Sequence, residues 1–174
     1  LLSIPETYLW VGGILGVIAI PFYSLGYYAV YRIIGTKSSR IVFILGSIGA
    51  TLGAAIHGIT ALKIHNDVET GIIAQDPLLS VLSWGAPILI LWALAAVFVL
   101  SASVLFSWIV LRGAHSVPII VSFANPALIT VLLSMVGMLT PLLKSFLVPS
   151  APNVAHMVFF ATCVLSPIRP SIEA

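Results

Sequence analysis

Two histidines, His57 and His156, fall inside long apolar runs of this sequence. An imidazole at membrane depth can carry a proton or ligate a metal, and ionisable side chains in lipid are costly enough to mark function. His57 lies about 16 residues into its run, about 24 Å along a helix at 1.5 Å per residue. His156 follows Asn153 at i+3, one turn into the last run, which enters from the opposite, outer side of the membrane. The two imidazoles are expected at similar depth, as a shared acid/base or metal-ligating site. The plainer alternative is two neutral rings bonded to carbonyls or to Asn153. Tyr23, Tyr27 and Tyr31 recur at i, i+4, i+8 and form one helical stripe. Such a stripe usually packs, yet its hydroxyls can reach a polar pocket. Asn125 precedes Pro126 and finds its natural partners in the carbonyls that the proline frees. These residues define the candidate site: His57 and His156 as catalytic groups, and Tyr23, Tyr27, Asn125 and Asn153 as ligand-binding ones.

Several kinds of chemistry are argued against. No aspartate or glutamate lies inside a predicted span, whereas proton-coupled pumps and carboxylate-bridged metal centres draw on such groups. The single cysteine, Cys163, excludes an internal disulfide and a cysteine-based metal cluster. Asp67, Glu69 and Asp76 match no calcium loop and read as a solvated connection. His65 and His115, at span ends, read as solvated too. Nucleotide-binding, zinc-protease and serine-hydrolase motifs are absent. No metal site is expected.

The elements that position these residues follow from composition. The chain has 174 residues, 60% of them hydrophobic and 7% charged, against about 25% charged in soluble domains. Its surface must therefore face lipid. The expected fold is all-α, a polytopic transmembrane helix bundle forming a single domain over residues 1–174. Five spans emerge, at about 8–34, 41–64, 87–111, 118–146 and 153–168. A sixth is expected ahead of Leu1, because the sequence begins without methionine and shows no basic signal-peptide start. Arg32, Lys37, Arg40, Arg112 and Arg169 fall on one side of alternating spans, which makes the first connection and the C-terminus cytoplasmic. Residues 65–86 form the outer loop, with Leu78, Leu79, Leu82 and Trp84 as interfacial anchors. The net charge of +2 comes without a basic cluster, so nucleic acid is not a partner. Residues 40–65 place Gly49, Gly53 and His57 on one face, and Gly12 and Gly16 on another helix offer a matching small-residue surface. Pro21, Pro126 and Pro141 interrupt spans.

The strings AIPFYSLGYYAVYRII, ILGSIGATLGAAIHG, VSFANPALIT and VPSAPNVAHMVFF carry a resemblance. Together they resemble an uncharacterised multi-pass bacterial membrane family, a domain of unknown function, over nearly the whole chain. The resemblance singles out Pro21, Tyr23, Tyr27, His57, Asn125, Pro126, Asn153 and His156. It implies a bacterial inner-membrane protein with one more leading helix, and it implies no particular chemistry.

Three functional classes remain open at this level. The first is binding, and conversion in an enzyme, of a small lipophilic molecule such as a lipid or isoprenoid. There His57 is the general acid or base, while Asn153 and His156 orient the substrate. The second is a structural or accessory subunit docked on other membrane subunits, with both histidines as packing residues. The third is a haem or pigment protein with His57 and His156 as axial ligands.

Overall fold

The computed structural model describes residues 6–70, 85–113 and 117–166, all helix or connection. Six α-helices follow one another: α1 (Glu6–Ala19), α2 (Tyr23–Ile34), α3 (Lys37–Glu69), α4 (Ala86–Leu111), α5 (Pro126–Gly137) and α6 (Pro141–Leu165). A 3-10 turn at Ile20–Phe22 joins α1 to α2, and a longer one at Ile119–Ala124 precedes α5. Four stretches are long and apolar enough to cross a membrane: Trp10–Ile34, Lys37–Asp67, Ala86–Leu111 and Leu147–Leu165. Pro126–Gly137 is a shorter apolar helix.

The expected run over 118–146 is not one helix, and prolines explain why. Asn125 is extended (φ −68°, ψ 150°), the conformation that a following proline imposes. Pro126 then opens α5, and Pro141 opens α6 after the Thr140 cap. Conversely, α6 runs straight through Pro149 and Pro152, so the last helix begins well before the expected residue 153. The outer loop also starts later than expected, since α3 continues to Glu69. Asp67 is therefore not a solvated loop residue. It is fully buried and paired with Lys63 one helical turn back, as a carboxylate out of water requires. His65, likewise helical, faces Glu69 at 3.6 Å. Residues 71–84, with Asp76 and the expected interfacial anchors, lie outside the described residues, as do His115 and residues 167–174.

The chain divides into two compact units. The first takes its described residues from Leu1–Phe22 and Ile48–Val97. In it α1 lies antiparallel on the second half of α3, with Gly13 on Ala61, Gly16 on His57 and Ile20 on Gly53. Trp10 meets His65 further along, ring centroids 5.2 Å apart. A side chain at Gly16 would sit 1.9 Å from the His57 ring, so the glycine is what lets the imidazole lie between the helices. Gly12, by contrast, has open space above it.

The second unit takes its described residues from Tyr23–Ser47 and Phe98–Ala174. Its core gathers Tyr27, Val30, Val42, Phe106, Val121 and Phe159, with Phe106 and Phe159 edge-to-face at 4.8 Å. Helix α2 stops at Gly35, whose φ of 71° ends the helix in a left-handed turn. Thr36 then caps α3. Its hydroxyl accepts from Ser39 N at 3.1 Å while Ser39 Oγ accepts from Thr36 N at 3.0 Å, a reciprocal capping box.

Gly16→Leu should drive His57 out of the α1–α3 seam and destabilise the protein by about 1–3 kcal/mol, the usual cost of overpacking. Gly12→Ala should leave stability unchanged or slightly raised. Unfolding of the detergent-solubilised protein followed by circular dichroism checks both.

Candidate functional site

Tyr23 and Tyr27 stand one turn apart on α2, and Asn153 and His156 one turn apart on α6, so each pair shares a helical face. The two faces meet. Tyr27 Oη lies 3.1 Å from His156 Nε2, and His156 Nδ1 lies 2.7 Å from the Pro152 carbonyl one turn back. A carbonyl only accepts, so Nδ1 carries the hydrogen. In the neutral ring Nε2 is then the acceptor, and the Tyr27 hydroxyl donates to it. His156 is the central residue of the 19-residue apolar stretch Leu147–Leu165, about 14 Å from either end. It is thus at mid-helix, deeper than one turn from the start.

Tyr23 completes the cluster. Its ring stacks on His156 with centroids 4.7 Å apart and planes inclined 13°, and its hydroxyl donates to Asn153 Oδ1 at 3.0 Å. Phe160 closes the apolar side, edge-on to Tyr27 at 5.2 Å. Two close approaches make this packing possible. A methyl at Gly26 would come within 2.7 Å of the Phe160 ring, and one at Gly46 within 2.5 Å of the Tyr27 ring. Tyr27 and His156 are buried, whereas Tyr23 and Asn153 are half-buried and form the accessible edge. Among the described residues, Asn153 Nδ2 donates no hydrogen bond.

The other predicted residues make the following contacts. His57 belongs to the first unit, where its Nε2 donates to the Gly12 carbonyl at 3.1 Å. Asn125 caps α5, accepting from Leu128 N at 2.9 Å. Its Nδ2 donates to Ser107 Oγ at 3.1 Å and to the Ser122 carbonyl at 3.0 Å. Tyr31, the third of the tyrosine stripe, stacks on Phe43 rather than joining the cluster. Sequence reasoning missed Pro152 and Phe160 as site members, and Ser103, Ser107 and Ser122 as companions of Asn125. It missed Gly26 and Gly46 as well, since which aromatic ring each admits depends on tertiary packing. No three His, Cys, Asp or Glu side chains converge among the described residues.

Tyr27→Phe removes the donor to His156 Nε2 and leaves that buried nitrogen unpaired, which should cost about 1–3 kcal/mol. Tyr23→Phe, at the half-buried edge, should cost less. Denaturant unfolding of both variants in one detergent gives the order.

No curated protein and no solved structure matches the chain significantly. The model of a family of unknown function, DUF6796, matches residues 2–169. With four helices able to cross a membrane and a family match along nearly its whole length, this multi-span membrane chain belongs to DUF6796.

Proposed function

We propose that this protein binds a small lipophilic molecule such as a lipid or isoprenoid, holding an oxygen of that molecule at Asn153. The observation that carries the reading is the unpaired Asn153 Nδ2 at the half-buried edge of the Tyr23–Tyr27–His156 cluster. An amide donor away from water costs free energy until an acceptor meets it. The neighbouring phenol, imidazole and Phe160 ring supply an aromatic wall suited to an unsaturated or ring-bearing lipophile. If conversion accompanies binding, the Tyr27–His156 pair moves the proton, with the Pro152 carbonyl keeping His156 in the required tautomer.

The same reading includes a bacterial inner-membrane protein with five visible crossings. Helix α5 rises about 18 Å over its length, and the preceding 3-10 turn adds about 12 Å. The two segments, joined through the extended Asn125, make up the fifth crossing of a hydrocarbon core about 30 Å thick. Arg32, Lys37 and Arg40 cluster around the α2–α3 turn, and Arg112 follows α4 two crossings later. That distribution supports a cytoplasmic location for both.

One observation favours the accessory-subunit reading for His57. Its ring and Nε2 are occupied by Gly16 and the Gly12 carbonyl in helix docking, a packing role. Co-purification with a partner at constant stoichiometry would support that class.

Mass spectrometry of lipid extracts from mildly purified protein tests the main proposal. The wild type should carry one lipophile at constant stoichiometry. Asn153→Ala should reduce its retention about tenfold, the equivalent of one hydrogen bond worth ~1.4 kcal/mol. Bulk lipid alone on the wild type, or full retention by the variant, would remove the assignment.

A further inference from the structure

A second site, independent of Asn153, lies where α4 meets the Ile119–Ala124 turn and the start of α5. An open cleft of about 560 Å³ runs there, within the ~300–1,000 Å³ of small-molecule sites. Its walls are apolar, formed by Val104, Trp108 and Leu111 on one side and by Phe123, Leu128 and Val131 on the other. Four polar residues, Ser103, Ser107, Ser122 and Asn125, also line it, but they bond to one another and to the backbone. Ser107 Oγ donates to the Ser122 carbonyl at 2.7 Å and accepts from Asn125 Nδ2. Ser103 Oγ accepts from Ala127 N at 3.2 Å. These bonds tie α4 to the start of α5 and leave the cleft firm and suited to a hydrocarbon chain.

A charge stands beside one wall of the cleft. The Arg112 guanidinium sits 3.9 Å over the ring of Trp108, itself a wall residue. Arg112 is exposed and follows directly on α4, and no carboxylate pairs with it among the described residues. Tryptophan and arginine at a span end lie at headgroup level, and a guanidinium matches phosphate oxygens in two-point geometry. An apolar trough flanked by a cation that no carboxylate meets among the described residues has the polarity of a phospholipid: acyl chain along the trough, phosphate beside Trp108.

We propose that this cleft is a binding site for an anionic phospholipid, one acyl chain lying between α4 and α5 and the phosphate held by Arg112 beside Trp108. The site discriminates by headgroup charge at Arg112 and holds the chain by shape. It shares no residue with the Asn153 cluster, so either assignment can fail alone.

Native mass spectrometry of the full chain, released from mild detergent holding equal phosphatidylglycerol and phosphatidylcholine, tests the proposal. The wild type should retain phosphatidylglycerol about fivefold over phosphatidylcholine, the preference that one basic residue gives near anionic lipid. Arg112→Gln, a change at an exposed position, should bring that ratio to about one while leaving some lipid bound. Val104→Trp, which fills the trough from its rim, should lower retention of both lipids. Equal retention of the two lipids by the wild type would overturn the proposal. So would an unchanged ratio in Arg112→Gln, or undiminished occupancy in a Val104→Trp protein with wild-type helical content and unfolding midpoint.

Discussion

The chain of hydrogen bonds from Tyr27 through His156 to the Pro152 carbonyl is the constraint on which the second unit depends. In hydrocarbon no water competes for a polar group, so each one must find its partner in the protein. An imidazole at the middle of a membrane-length helix needs both nitrogens answered. One is answered locally by a carbonyl a turn away, the other by a phenol from a different helix. The second bond fixes which face of α2 meets which face of α6. The glycines at 26 and 46 follow from it, because the rings of Phe160 and Tyr27 occupy the space their side chains would take.

The same constraint recurs across the chain with different residues. In the first unit His57 bonds the Gly12 carbonyl, and the buried Asp67 is matched by Lys63 on its own helix. Beside the cleft, serines and Asn125 close upon one another and on the backbone exposed by Pro126. Against this pattern the Nδ2 of Asn153, like the buried Thr60 Oγ1, has no partner among the described residues. A functional reading starts from Asn153 because the polar groups around it, Tyr23, Tyr27 and His156, are already used within the protein.

Much of this was legible in residue spacing. The i, i+4 tyrosines and the Asn-x-x-His pair identify two helical faces, and the glycine periodicity identifies a third. Low charge alone marks lipid as the solvent. What spacing does not carry is pairing between distant segments: nothing local says that Tyr27 meets His156. Proline, too, acts according to its surroundings. At 126 and 141 it breaks the apolar run into separate helices, as its missing N–H and its effect on the preceding residue dictate. At 149 and 152 the same residue type sits inside α6, because neighbouring helices and side chains in a membrane protein can compensate for the lost bond. The burial of Asp67 is not readable locally for a related reason, since it depends on Lys63 one turn away and on a helix longer than its apolar core.

The most direct measurement is ¹⁵N–¹H correlation spectroscopy of the histidine side chains in detergent-solubilised protein, with His156→Gln used to assign the His156 signals. The account predicts a neutral His156 with the proton on Nδ1 and a pyridine-type Nε2 accepting from Tyr27, its shift altered in Tyr27→Phe. A proton on Nε2, or a His156 signal indifferent to Tyr27→Phe, would contradict it.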